Sequence, residues 1–139
     1  MKRAPALIGL SREHHEALVL ARRACEPERP QAEPTQLRAH LLQRWAGHFE
    51  PHFAAEEEVL LPALEQAGCA DAAAQARSHH ARLRALVERL QGGELACLPE
   101  WGAAMREHVQ WEERQLFPLA ERVLDLDALQ AALQRKEST

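Results

Sequence analysis

The sequence predicts an all-α protein, an up-down-up-down four-helix bundle with a short C-terminal helix. Three observations predict it. Ala, Leu, Glu, Gln and Arg dominate while Tyr is absent and aromatics make up only 4%, which favours helix over strand. Apolar residues recur at spacings of three and four along four long stretches. The links between the later stretches are short, so consecutive helices should run antiparallel beside one another. At 139 residues the chain is expected to form a single domain over 1–139, long enough to bury a core.

Each element has its own signal. Leu7, Leu10, Ala17, Leu18, Ala21 and Cys25 mark a first amphipathic helix over roughly 11–25, with Ser11, Glu13 and Glu16 near its start. Pro27, Pro30 and Pro34 then impose a stiff loop. A second, long helix is expected from Pro34 or Thr35 to about Gln66. Its inward stripe would be Leu37, Leu41, Trp45, His48, His52, Glu56, Val59 and Ala63. Pro51 deletes the backbone bond to the Gly47 carbonyl, so a bend is expected there. Gly68 supplies a C-cap. A third helix over about 71–91 carries His79, His80, Leu83, Leu86, Val87 and Leu90, and Gly92-Gly93 stops it. Pro99 suits the first turn of a fourth helix reaching about Leu124, which should bury Met105, His108, Glu112, Leu116, Leu119 and Val123. Asp125 or Asp127 then caps a last helix over 128–135.

Composition also excludes functions. The net charge is -4 with both signs interspersed, so no basic surface calls for nucleic acid or membrane. The apolar runs are too short to span a bilayer. The first ten residues faintly imitate a signal peptide, but the apolar part is short and no cleavage site follows, so a cytoplasmic protein is expected. Cys25, Cys69 and Cys97 are odd in number and lack C-x-x-C spacing, which argues against a disulfide framework and a thiolate zinc site.

The chemistry lies in a repeated pattern. His52-Phe53-Ala54-Ala55-Glu56-Glu57-Glu58-Val59-Leu60-Leu61-Pro62 returns as His108-Val109-Gln110-Trp111-Glu112-Glu113-Arg114-Gln115-Leu116-Phe117-Pro118. Both copies read His, three residues, Glu-Glu, two residues, Leu, an apolar residue, Pro. On a helix the His and the first Glu share a face one turn apart and can reach one point. Glu57 and Glu113 point about 100° away and are expected to be solvated or supporting. A second repeat pairs Arg12-Glu13-His14-His15-Glu16-Ala17-Leu18 with Arg77-Ser78-His79-His80-Ala81-Arg82-Leu83. The Leu three residues after the histidine favours His15 over His14 and His80 over His79 as the inward residue. His48, four before His52 on the same face, is in place for a supporting donor or an extra ligand, but the favoured reading is a histidine that does neither.

Six inward polar groups are costly in a bundle core unless something pairs with them. A pair of metal ions would do so, with His15, His52, His80 and His108 giving nitrogen and Glu56 and Glu112 bridging. Nitrogen and oxygen donors without thiolate suit iron or manganese, with zinc or copper acceptable on affinity. Six protein ligands for two ions leave positions open, as a reactive site needs.

Glu13-His14-His15-Glu16-Ala17-Leu18, His52-x3-Glu56-Glu57, His79-His80-x2-Leu83 and His108-x3-Glu112-Glu113 with its Leu-Phe-Pro tail resemble the hemerythrin-like (HHE) domain over roughly 8–124. The resemblance implies a four-helix bundle holding two iron ions in an oxo- or hydroxo-bridged centre, with manganese or zinc as alternatives. It implies a partner such as oxygen, nitric oxide or peroxide, and a role as sensor, store or stress-protective redox protein, acting as monomer or homodimer. Two departures from the oxygen carriers stand out. Their third helix has His-x3-His, whereas Ala76 and Arg84 flank His80 here, and their fourth has His-x4-Asp, where this chain has His-x3-Glu. Reversible oxygen carriage is therefore disfavoured. The rivals are a di-iron enzyme that reduces peroxide or oxidises iron, and a zinc-bound structural or partner-binding bundle. The Glu-x-x-His pattern of ferritin-like oxidases is absent, so a binding protein is expected before a dedicated enzyme.

Overall fold

A computed structural model describes residues 3–25 and 33–138. The proline-rich loop expected after the first helix falls mostly outside the described residues. Helix α1 spans Pro5–Cys25, α2 runs continuously over 34–66, α3 spans Ala70–Gln91, α4 covers 98–123 and α5 spans Leu126–Ser138. A single 3₁₀ turn at Leu95–Cys97 leads into α4. Among the described residues there is no strand, and no helix is long and apolar enough to cross a membrane.

Helix α1 starts at Pro5, six residues before the expected Ser11. Pro5 suits a first turn, Leu7 and Leu10 are fully buried, and the Ala4 N–H donates to the Glu121 carboxylate at 2.7 Å. Gly68 and Gly93 end α2 and its antiparallel neighbour α3 in the left-handed conformation, φ 89° and 93°. Each lets the next N–H reach back to the last turn: Cys69 to the Leu64 carbonyl at 2.8 Å, Glu94 to the Arg89 carbonyl at 3.1 Å. Asp125 caps α5 by accepting from the Ala128 N–H at 3.3 Å.

The three internal prolines widen their helices instead of breaking them. Turns at Trp45–Phe49, Glu56–Leu60 and Glu112–Leu116 are π-helical, closed by bonds from the Glu50, Leu61 and Phe117 N–H groups to the carbonyls five residues back. Each such bond immediately precedes a proline: Pro51, Pro62 or Pro118. A proline ring presses on the carbonyl four residues before it, and a wider turn relieves that contact. The bend expected at Pro51 is thus a π-turn. These turns also move the inward stripe by one residue. Leu60, Leu61 and Leu64 are buried where Val59 and Ala63 were expected, while Val123 stays 41% exposed.

Around the bundle α1 packs on α4, α4 on α3 and α3 on α2. Helix α5 lies against α1 and the 50–60 stretch of α2, burying Leu126 and Leu133 between them. The core divides in two along the bundle. One cluster holds Phe49, Phe53, Trp101 and Met105, the other Leu7, Leu10, Leu60, Leu64 and Phe117. On every one of the four long helices the buried polar residues sit at the boundary between the two.

Candidate metal centre

Six polar residues are buried at that boundary: His14, His52, Glu56, His80, His108 and Glu112. Five of them are the residues expected to point inward. The exception is His15, which is exposed, while His14 takes the inward place at 5% exposure. The physical reason is the phase of α1. Its buried residues Ala17, Ala21 and Ala24 stand three, seven and ten after His14, as Leu83, Val87 and Leu90 stand after His80. Leu18, the residue that favoured His15, is 37% exposed. His48 is exposed as well, because the π-turn over Trp45–Phe49 carries it off the inner face.

The two carboxylates lie between two pairs of imidazoles. Glu56 Oε2 is 3.3 Å from His52 Nε2, and its Oε1 is 3.0 Å from His80 Nε2. Glu112 Oε1 is 2.9 Å from His14 Nε2 and 3.8 Å from His52 Nε2, and its Oε2 is 3.5 Å from His108 Nε2. Each carboxylate therefore turns one oxygen to the His14–His52 half and the other to the His80–His108 half. Glu56, His80, His108 and Glu112 offer ligand atoms all within 4.8 Å of one another, and so do His14, His52 and Glu112.

The donor atoms fit cations. Both Glu56 oxygens, Glu112 Oε2 and the Nε2 atoms of His52, His80 and His108 are buried without a hydrogen bond of acceptable geometry. Buried polar atoms are normally satisfied, and six such atoms facing one space call for something with positive charge. The other ring nitrogens are held from outside. His14 Nδ1 meets Glu113 at 2.6 Å, His80 Nδ1 meets Glu57 at 2.7 Å and His52 Nδ1 meets Glu13 at 3.3 Å. Such contacts fix the tautomer that leaves Nε2 free to bind. Glu113 is steadied by Ser11 at 2.5 Å and Arg3 at 3.1 Å, and Glu57 by both terminal nitrogens of Arg84 at 2.8 and 3.0 Å.

Without a cation the site titrates unusually. Burial opposes charge on His80, but the Glu56 and Glu57 carboxylates outweigh it and push its pKa up to about 9. His14 and His52 are raised in the same way by the carboxylates around them, against burial. Burial dominates at His108, whose pKa falls to about 3. Burial and the Glu112 charge lift Glu56. Burial also works to raise Glu57, but His80 and Arg84 hold it down at about 2.

The sequence profile of the hemerythrin HHE cation binding domain matches residues 9–120, most of the chain. The chain belongs to the hemerythrin family. Comparison with curated proteins and with solved structures returns no match. Within this hemerythrin domain, Arg84 one turn beyond His80 serves the outer carboxylates Glu50 and Glu57. The residues sequence reasoning had not assigned are Glu13, Arg3 and Arg84. A signal for Glu13 existed, since it precedes the inward histidine of α1 as His79 precedes that of α3, but reading it needs the one-residue phase shift.

Proposed function

We propose that this hemerythrin domain holds two iron ions between His14, His52, Glu56, His80, His108 and Glu112. It binds oxygen, nitric oxide or peroxide there as a sensor, store or stress-protective protein of the cytoplasm. The single observation that carries the reading is the division of each carboxylate, one oxygen toward each imidazole pair. One ion bound by the chain would leave half of these donors buried and unsatisfied.

The iron supplies redox chemistry and affinity for small oxygen- and nitrogen-containing ligands. The protein does the rest. Glu56 and Glu112 bring negative charge that favours the higher oxidation state, and the imidazoles set the geometry. Beside His14, His52 and His108 lies a cavity of about 10 Å³ lined by Glu13, Ala17, Phe49, Phe53, Met105 and Val109. A space of this size takes about one water-sized group and is too small for a large substrate.

Metal quantification with absorption spectra, taken on the reduced protein and again after air or nitric oxide, tests the reading. We expect two irons per chain and near-ultraviolet absorption that appears on oxidation. Zinc without iron and no such absorption would favour a structural bundle instead. Glu56→Ala and Glu112→Ala are each expected to lose most of the metal; if both keep two ions, the carboxylates do not bridge.

A further inference from the structure

The two halves of the centre are built alike except at one atom. Three of the four inward imidazoles give Nδ1 to a carboxylate: His14 to Glu113, His52 to Glu13 and His80 to Glu57. The fourth does not. His108 Nδ1 meets the Nδ1 of His79 at 2.9 Å. His79 stands just before His80, as Glu13 stands just before His14, so it occupies the place where pseudo-symmetry would put an acid. The position is built, because the His79 ring is also held edge-on by Trp111, with ring centroids 4.9 Å apart.

We propose that His79 makes the two metal positions unequal, leaving the His80–His108 half the weaker and more readily exchanged of the two. The inference rests on the two-ion reading above. A carboxylate accepting the Nδ1–H forms a charge-assisted bond and makes Nε2 a better donor. An imidazole accepting the same proton carries no charge and does this less. The wider charge count agrees. Two outer carboxylates, Glu13 and the Arg3-bound Glu113, meet the His14–His52 half, and one, the Arg84-bound Glu57, meets the other.

His79 is a positioning residue in this scheme, and its signature is a split between two affinities. The test is calorimetric titration of the metal-free chain with Zn²⁺, repeated on His79→Glu, His79→Gln and Glu13→Gln, with helix content checked by circular dichroism. We expect two steps in the parent protein separated by about tenfold or more. His79→Glu should tighten the second step by roughly 10–100-fold, the usual weight of an outer partner, and leave the first unchanged. His79→Gln should leave both steps in place, and Glu13→Gln should weaken the first alone. Two ions bound with one affinity, unmoved by His79→Glu and Glu13→Gln, overturn this inference while the two-ion reading stands. Uptake of fewer than two ions by the parent chain overturns both.

Discussion

Helices α1 and α3 do the same job with different materials. Each offers one inward histidine, His14 or His80, followed by buried residues at the same three offsets. On α1 these are Ala17, Ala21 and Ala24; on α3 they are Leu83, Val87 and Leu90. The small residues let α1 lie close against α4, where Gly102 faces it so tightly that a Cβ there would stand 2.5 Å from the Ala21 carbonyl oxygen. On α3 the same offsets carry larger side chains, all buried. The comparison teaches that the ligand geometry is repeated through phase, while the packing that delivers it is not repeated at all. Phase alone aims the imidazole.

Breaking that phase relation should have the largest effect. His14→Ala removes a buried donor, and we expect metal affinity to fall by more than the roughly 10–100-fold that loss of an outer partner costs. His15→Ala, one position away on the exposed face, should leave metal content and melting temperature unchanged. The reverse result would restore His15 to the site and remove the match between His14 and His80. A smaller effect probes the packing difference. Gly102→Ala forces its methyl group against α1 backbone, which cannot give as a flexible side chain can, and should cost about 1–3 kcal/mol in chemical denaturation. An equal melting profile would mean that α1 has room to move, and that small residues are not what seats it.

Much of this was legible in the chain. The four long helices and their order follow from periodicity, and the chain turns at Gly68 and at Gly92-Gly93, where the sequence places the stops. The pairing of His52 with Glu56 and of His108 with Glu112 followed from a four-residue spacing. Two things were not legible. A leucine three residues on does not mark the inward histidine of α1. Leu18 lies outside; after His14 the buried face continues through Ala17, Leu20, Ala21 and Ala24, and alanines carry little signal of burial in a sequence rich in them. The second was the widening of α2 and α4. Pro51, Pro62 and Pro118 announce a disturbance, but whether a helix kinks or opens into a π-turn depends on what its neighbours hold in place. Once open, the turn shifts every later position, which is why Leu60, Leu61 and Leu64 are inside.

In acid–base behaviour the two helices agree, since both inward imidazoles are raised, His80 to about 9, while His108 beside it on α4 falls to about 3. A histidine whose pKa is higher folded than unfolded stabilises the fold fully below about 6.5 and ceases to do so as pH rises through about 9. His80 therefore stabilises the metal-free protein at neutral pH and withdraws that support in alkali. His108 acts in the opposite direction, destabilising the fold as pH drops from about 6.5 toward 3, and Glu57 adds a loss between about 4.5 and 2. The metal-free chain should be most stable near pH 6.5. Cations must displace the proton from His80, so binding at pH 7 should release protons and tighten with pH until about 9. Melting temperatures with and without metal between pH 5 and 10 measure this directly: the gap should widen with pH and level off near 9. A gap that is constant across the range would mean that His80 binds without giving up a proton, and so is no ligand.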